Sequence, residues 1–325
     1  MPWQTNLTWN NAKQRSQLIA AIRAFFANKQ VIEVETPLLS QSTITDLHLD
    51  AFVSRYDFFA DSPDNHFQKM YLQTSPEFAM KRLLASGYGC IFQISKAFRH
   101  ESYGRHHNPE FTMLEWYRLG FDHFALMNEV AELLIQLLAC KKPTQCTYQS
   151  LFIEYVGIDP LEADQKTLLK VIEKHQKTAD WLIQTNDNDT LKQFIFSEII
   201  ENKIGLTAPC FVYNFPSSQA SLAKISKEDP RVAERFECYY HGIELANGFN
   251  ELTDANTQEQ RFIKENNKRL KNGLSTKPID SNFINALSHG LPQCAGVALG
   301  VDRLIMLALN EKHIEKVITF SINNA

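Results

Sequence analysis

Two arginines and two glutamates occupy positions in this sequence that favour phosphate chemistry. Arg99 and Arg303 each follow a run typical of a β-strand, with small or polar side chains on one face. Arginine suits multidentate recognition of phosphate, because its planar guanidinium is permanently charged. Glu244 and Glu251 bracket an Asn-Gly pair at 247–248, which predicts a hairpin turn. Two carboxylates held close together are costly unless a cation lies between them, and magnesium takes one or two carboxylates plus phosphate oxygens. The four residues therefore favour a site for a magnesium nucleoside triphosphate.

The segment GVALGVDRLIML, residues 296–307, predicts a strand that leads into a buried helix. At a period of two, Gly296, Ala298 and Gly300 share one face of this strand. A row of small residues indicates that either a ligand or a neighbouring helix packs closely against the backbone. Arg303 follows this row, which favours the ligand.

The loop SYGRHHN, residues 102–108, adds Arg105, His106 and His107 as candidates for binding a phosphate tail. The sequence contains neither GxxxxGK[ST] nor GxGxxG, so side chains would have to bind the phosphates. Each motif has an ordinary alternative, since an Arg-x-Glu such as 99–101 is usually a surface ion pair. Neighbouring histidines are likewise common in solvated loops.

Hydrophobic periodicity and turn residues predict alternating helices and strands along the whole chain. We expect helices at 11–28, 76–86, 122–139 and 255–272, several helices between 147 and 207, and strands at 31–34, 90–101, 111–117, 211–216 and on both sides of 247–248.

Composition excludes several classes of protein. The formal net charge of −4 gives no overall attraction for nucleic acid, and no apolar run is long enough to span a membrane. The six cysteines include no CxxC pair and no histidine partner at zinc spacing, so free thiols are expected. We expect a cytoplasmic protein without a membrane contact.

Three ordered motifs of this sequence resemble those of the class II aminoacyl-tRNA synthetases. They are VIEVETPLL at 31–39, FRHE at 98–101 followed by HHNPEFTMLEWY, and GVALGVDR at 296–303. TSPEFAMKRLL and GIELANGFNELTD resemble the lysyl branch of that family. The resemblance extends from Asn11 to the C-terminus. It implies an α+β fold, with a mixed but mainly antiparallel sheet flanked by helices, in a single catalytic domain over 1–325. It also implies a homodimer formed through the first motif.

Two departures from the lysyl pattern change the expected reaction. Lysyl-tRNA synthetases carry an N-terminal OB-fold domain that reads the anticodon, whereas this chain begins at the first helix of the core, so no anticodon recognition is expected. The third motif has Ala298 where the lysyl pattern has glycine. A stand-alone core of this kind is similar to lysyl-type ligases that join (R)-β-lysine to a lysine side chain of translation elongation factor P.

The resemblance assigns roles residue by residue. As catalytic residues, Arg99 would hold the α-phosphate of ATP and Arg303 the γ-phosphate, while Glu244 and Glu251 would bind Mg²⁺. The expected ATP-binding residues are Arg99, His100, Glu101, Asn108, Phe111, Glu244, Leu245, Gly300 and Arg303. The expected amino-acid-binding residues are Ser75, Pro76, Glu77, Glu115, Tyr117, Glu251 and Ala298. The added methyl of Ala298 is expected to disfavour an amino group on the α carbon of the substrate and to tolerate one on the β carbon.

Two other functions fit the same resemblance. The chain could be a truncated lysyl-tRNA synthetase paralogue that charges tRNA, or a non-catalytic regulatory subunit that senses an amino acid. Intact Arg99, Arg303, Glu244 and Glu251 argue against the sensor, because a sensor has no need to keep the groups that hold ATP.

Overall fold

The computed structural model describes residues 3–57, 67–185 and 187–325. The chain divides into two compact units. The first unit contains Met1–Gly120, Leu252–Cys294 and Ala298–Ala325, and the second contains Phe121–Glu251 and Ala295–Val297. All six cysteines are free thiols, as the sequence predicts. No helix in the described ranges is long and apolar enough to cross a bilayer.

The described residues form ten α-helices and eleven strands. The helices are α1 Trp9–Asn28, α2 Glu77–Ala85, α3 His123–Leu138, α4 Tyr148–Val156, α5 Gln165–Lys174, α6 Asp180–Gln184, α7 Asn188–Ile195, α8 Ala255–Lys271, α9 Ser281–Gly290 and α10 Val301–Ala308. The strands are β1 Ile32–Glu33, β2 Leu39–Ser40, β3 Val53–Asp57, β4 Phe67–Leu72, β5 Ile91–Phe98, β6 Glu110–Leu119, β7 Thr144–Thr147, β8 Cys210–Pro216, β9 Val232–Tyr240, β10 Ile243–Asn250 and β11 Cys294–Gly300.

Eight strands form a sheet in the order β1-β5-β6-β11-β10-β9-β8-β7, and β2, β4 and β3 form a smaller antiparallel sheet. β1 pairs with β5 in parallel, and so does β7 with β8. The pairs β5–β6, β8–β9 and β9–β10 are antiparallel. The predicted α+β class with a mixed, mainly antiparallel sheet is confirmed.

In the first unit, α1 packs on β5 and β6 through aromatic side chains. The ring of Phe26 stacks on Phe92 with centroids 4.5 Å apart, and its centroid lies 5.2 Å from that of Trp116. This packing fixes the β5–β6 pair, in which Gln93 lies opposite Glu115. β5 ends at Phe98, so the predicted extension of this strand to residue 101 is wrong. The amide of Arg99 still donates to the carbonyl of Pro109, the next position in the same register, whereas the amide of His100 donates to the carbonyl of Asp50 and so leaves the ladder.

The aspartate beside Arg303 has a structural role. Asp302 is 2% exposed, and one oxygen lies 2.7 Å from Nη1 of Arg15 on α1. Its other oxygen accepts from the backbone amide of Thr112 at 2.6 Å. Arg15 also donates to the hydroxyl of Thr112 and to the carbonyl of Val317. This buried pair joins α1, β6 and α10, and it fixes the first turn of α10, where Arg303 lies.

In the second unit, the helices between 148 and 200 cover one face of β8 and β9. Tyr148, Phe152, Phe196, Phe215 and Tyr239 form the aromatic part of this core. The predicted helices between 147 and 207 are present. Three of the four α-helices here begin at a side-chain cap, such as the Asp164 carboxylate that accepts from the amide of Thr167 at the start of α5.

The predicted hairpin turn at Asn247-Gly248 is wrong. β10 is continuous through both residues, and the turn between β9 and β10 lies at 241–242. His241 and Gly242 have φ values of 52° and 70°, the combination that a type I′ hairpin turn requires. Gly248 is instead required by packing, because a Cβ there would lie 2.4 Å from the ring of Phe236. An Asn-Gly pair can therefore mark a crowded strand as well as a turn.

Candidate active site

The third-motif arginine lies against the loop inside the second motif, residues 102–108. In the first unit, Nη2 of Arg303 lies 2.8 Å from Nε2 of His107, and its Nε donates to the carbonyl of His106 at 3.3 Å. A guanidinium only donates, so His107 accepts through Nε2 and carries its proton on Nδ1. Burial, together with the nearby Arg105 and Arg303, lowers the pKa of His106 to about 4. The imidazole of His106 is therefore neutral near pH 7.

The C-terminal segment of the chain holds this loop in place. Nε of Arg105 donates to the carbonyl of Lys312 at 2.8 Å, and the amide of Ile314 donates back to the carbonyl of Arg105. The buried side chain of Asn108 accepts from the amide of Ile322 at 3.0 Å and donates to the carbonyl of Glu110. Both polar ends of Asn108 therefore bind backbone, and its contact with the adenine end of a nucleotide stays a prediction.

Arg99 and Phe111 lie together, as a nucleotide site of this type would require. The guanidinium carbon of Arg99 lies 5.2 Å from the centroid of the Phe111 ring. This distance is typical of a cation–π contact between a guanidinium and an aromatic ring. His100 and Glu101 are exposed beyond the end of β5, and the backbone amide of His100 donates to the carbonyl of Asp50.

A buried carboxyl forms the floor of the predicted amino-acid pocket. Glu115 on β6 is 2% exposed and accepts from the hydroxyl of Ser75 at 2.7 Å and from that of Tyr117 at 2.6 Å. The hydroxyl of Ser75 also accepts from the amide of Glu77, at the start of α2. Burial, and secondarily the nearby Glu77, raises the pKa of Glu115 to about 7. A carboxyl in this state gains most from an incoming cation, since the cation offsets the cost of burying its charge.

Three of the predicted pocket residues, Ser75, Glu115 and Tyr117, are thus in direct contact. Pro76 is buried beside them in the chain, at the position that precedes α2. Glu77 is half-buried, and one of its oxygens lies 2.5 Å from the ammonium of Lys81. Sequence reasoning missed Lys81, which is only 1% exposed. The signal that could have found it is the i,i+4 spacing of an acid and a base on a short helix whose neighbours are apolar.

The small residues of β11 show the predicted alternation only toward the end of the strand, because Gly296 is buried, unlike Ala298 and Gly300. Val297 and Leu299 are buried, whereas Ala298 and Gly300 are half-buried. A Cβ built on Gly300 would meet the side chain of Arg303 at 3.5 Å, an ordinary contact distance. The open face at the end of β11 therefore has the Arg303 side chain beside it.

In the second unit, Glu244 and Glu251 lie on the same face of the chain. Glu251 lies seven positions after Glu244, an odd offset that in a regular strand would place the two side chains on opposite faces. The ladder shifts by one residue between Glu244 and Ala246, so Glu244 pairs with Tyr239 while Asn247 pairs with Glu237. This bulge restores the common face, on which Glu251 continues the alternation just past β10. Leu245, within the bulge, is buried.

Two carboxylates suit a magnesium ion that takes its remaining ligands from water and phosphate, and not an ion bound entirely by protein side chains. Within the described ranges, no group of three or more His, Cys, Asp or Glu side chains could hold a metal ion. Magnesium commonly takes one or two carboxylates and completes its shell with water and substrate phosphates. The donor set fits that ion.

Comparisons with known proteins show the family to which the chain belongs. Residues 3–324 match the family described as tRNA synthetases class II (D, K and N). A protein of Vibrio parahaemolyticus serotype O3:K6 is 52% identical over 320 residues, which are 98% of this chain and 97% of that protein. Proteins of Pectobacterium carotovorum subsp. carotovorum and Salmonella typhi are 52% and 51% identical over 323 residues, covering 99% of this chain and 98% of each relative. All three bear the name elongation factor P--(R)-beta-lysine ligase. The chain belongs to the class II tRNA synthetase family of the D, K and N type.

Proposed function

We propose that this protein is an ATP-dependent ligase that activates (R)-β-lysine as an aminoacyl-adenylate and transfers it to the side-chain amine of a lysine of translation elongation factor P. The observation that carries the proposal is the buried Glu115 with the two hydroxyls of Ser75 and Tyr117. This group of acceptors suits the distal ammonium of a lysine-like substrate, which must be paired once it leaves water. The names of relatives that cover nearly the whole chain supply the particular amino acid and acceptor.

In the first step, the carboxylate of the amino acid attacks the α-phosphate of ATP and pyrophosphate leaves. Arg99 stabilises the charge that develops on the α-phosphate, and Arg303 binds the γ-phosphate. Donors that are already in place lower the barrier, because they need no reorganisation as the charge forms. Phe111 offers a flat surface for the adenine ring, with Arg99 beside it. His100, Glu101 and Asn108 complete the adenine end, Leu245 contributes its backbone, and Gly300 permits close approach of the ligand.

Glu244 and Glu251 would hold the magnesium that accompanies ATP, and this ion would neutralise phosphate charge as pyrophosphate leaves. Their common face on the chain supports this assignment.

The β-amino group distinguishes the proposed substrate from α-lysine. Glu77 offers a carboxylate at the start of α2 for an amine near the reacting carboxyl, and Pro76 precedes it. Ala298 has its Cβ on the more open face of β11, where the lysyl pattern has none. An extra methyl in a tight site costs about 1 to 3 kcal/mol when a ligand atom needs the same space. We assign to Ala298 the exclusion of the α-amino group.

In the second step, the lysine amine of elongation factor P takes the acyl group and AMP leaves. A lysine amine with its usual pKa of about 10.4 must lose a proton before it attacks. Because the acceptor works in translation, we assign the reaction to the cytoplasm. We further propose that the reaction involves neither anticodon recognition nor a membrane contact.

We also propose that the protein is a homodimer that associates through the first motif. Ile32 and Val53 are 62% and 58% exposed, and Leu38, Leu39 and Tyr56 are exposed in the same unit. A dimer would remove these apolar side chains from water. Light scattering should give twice the chain mass, and Ile32→Asp should reduce it; a monomer in the wild type at working concentration would exclude the dimer.

The activation step can be tested by ATP–pyrophosphate exchange. The wild type should exchange label with (R)-β-lysine far better than with α-lysine, and Glu115→Gln should raise KM for the amino acid while leaving KM for ATP unchanged. No exchange with any lysine isomer would refute the proposal and favour an amino-acid sensor.

A further inference from the structure

A buried ammonium lies beside the pocket that we propose for a cationic substrate. Lys81 is on α2, one turn after Glu77, and is 1% exposed. Its Nζ lies 2.5 Å from Oε1 of Glu77 and 5.7 Å from the centroid of the Phe283 ring on α9. A lysine inside a site for lysine-like molecules needs an explanation, because like charges repel and a buried ammonium is costly.

The charged and polar groups around Glu115 come from three elements and the segment before α2. Ser75 donates from that segment, Tyr117 donates from β6, and Gln93 lies opposite Glu115 on β5. The charged groups that act on the pKa of Glu115, Glu77 and Lys81, both lie on α2. In the first unit, this part of the pocket therefore combines two carboxyl groups, Glu77 and Glu115, with one ammonium, Lys81.

The charge of Glu77 raises the pKa of Glu115, so ionising both carboxyls at this buried position is costly without a cation. Lys81 supplies that cation on the side of Glu77 away from solvent. The ammonium of Lys81 donates to Oε1 of Glu77 and thereby fixes the orientation of this carboxylate. The positive charge of Lys81 also favours the ionised form of Glu115, because it lowers the pKa of that carboxyl.

We propose that Lys81 is a positioning residue that neutralises and orients Glu77, so that Glu115 ionises and accepts the distal ammonium of the amino acid. This inference rests on the proposed function, since it takes the substrate to be a lysine-like acid with a distal ammonium. Amino-acid binding then requires loss of a proton from Glu115, and KM for the amino acid falls as the pH rises through about 7.

Substitutions of the two partners should move this pH profile in opposite directions. In Lys81→Met, Glu77 loses its counter-charge, and the two carboxyls retain a shared proton to higher pH. We expect the midpoint of the KM profile to rise by about one pH unit, which raises KM about fivefold at pH 7. In Glu77→Gln, the repelling carboxylate is gone while Lys81 remains, so the midpoint should fall. Lys96→Met, which removes an exposed lysine from its ion pair with Glu110, should leave the midpoint unchanged.

The experiment measures KM for the amino acid and for ATP from pH 6 to 8.5 by pyrophosphate exchange, with the unfolding free energy of each variant over the same range. Opposite shifts of the midpoint, with KM for ATP unchanged, would support the proposal. A purely structural role predicts lower stability or a lower kcat with the midpoint unmoved, and that result would overturn the proposal.

The unfolding measurement separates this inference from the proposed function. If the wild type catalyses no exchange, the proposed function fails, but the pH at which stability is lost still reports the ionisation of Glu115. That pH should rise in Lys81→Met and fall in Glu77→Gln. If Lys81→Met does not fold, Glu77→Gln alone decides, since an unchanged midpoint in that variant also overturns the proposal.

Discussion

Replacing Glu115 by glutamine should change how the stability of the protein depends on pH. Glutamine keeps the shape of the side chain but cannot ionise. Ser75 and Tyr117 donate to different oxygens of Glu115, so the glutamine oxygen accepts from one hydroxyl and the glutamine NH2 donates to the oxygen of the other. In the folded wild type the pKa of Glu115 is raised from its usual 4.5 to about 7, chiefly by burial. The folded state therefore binds the proton more tightly than the unfolded state between these two pH values.

The sign and size of the effect follow from this difference. A raised carboxyl pKa stabilises the folded protein fully below pH 4.5, and this contribution is lost as the pH rises through about 7. A pKa difference between 4.5 and about 7 corresponds to about 3 kcal/mol in total. Between pH 5 and pH 8, the wild type should lose about 2.5 kcal/mol of unfolding free energy that Glu115→Gln retains.

Urea unfolding without substrates, followed by circular dichroism at pH 5, 6.5 and 8, measures this difference. Glu110→Gln is the matched control, because it removes an exposed carboxyl from the start of the same strand. The gap between Glu115→Gln and wild type should widen steadily with pH, and the gap for the control should stay constant. Parallel curves for Glu115→Gln and wild type would show that Glu115 ionises without a penalty, and the proposed cation site would lose its physical basis.

Four further outcomes are expected. Arg303→Lys should lower kcat for pyrophosphate exchange about 10²-fold, because an ammonium cannot replace the planar donors; an unchanged kcat would remove Arg303 from the reaction. Ala298→Gly should lower the preference for β-lysine over α-lysine by about 5- to 150-fold, and an unchanged ratio of kcat/KM would refute the steric explanation. Asp302→Asn should lower the unfolding free energy by about 3 kcal/mol, because Arg15 would lose its buried anion; a change within the error of urea unfolding would contradict this. Removal of divalent ions by EDTA should stop exchange until magnesium is added, and Glu244→Gln should raise the magnesium concentration required; exchange that persists in EDTA would exclude the metal.

The local part of the fold could be predicted from sequence, because its signals lie within a few residues. The strand and helix of 296–307 are visible in the alternation of small and large residues, which the burial of Val297 and Leu299 reproduces. The start of α3 is visible in Asp122, whose carboxylate accepts from the amide of Ala125. Such patterns depend only on the period of the backbone and on capping.

Features set by distant contacts could not be predicted. The Asn-Gly pair at 247–248 has the residues of a turn, but packing against Phe236 places it inside a strand. The bulge after Glu244 depends on the register with β9, which one strand alone cannot specify. Lys81 reads as a solvated helix residue, since only the tertiary fold shows that its surroundings are buried. Asp302 gives no hint of its partner Arg15, which lies 287 positions away in the sequence.

Some contacts among the candidate residues could be predicted from sequence, whereas other assigned roles stay predictions. The contact of Ser75 and Tyr117 with Glu115 follows from motifs that the sequence displays, and the geometry places these three together. The pairing of Arg303 with His107 joins two segments that were each singled out for phosphate binding. The magnesium ligands and the adenine contacts stay predictions, because their tests require the bound nucleotide.

The most direct test of the proposed function offers both acceptors to the enzyme at once. The protein is incubated with ATP, magnesium and labelled (R)-β-lysine in the presence of purified elongation factor P and total tRNA, and the label on each acceptor is counted after separation. Elongation factor P should gain one lysyl residue, as seen in its intact mass, and tRNA should remain unlabelled. Label on tRNA with none on elongation factor P would contradict the account and identify the protein as a tRNA-charging enzyme.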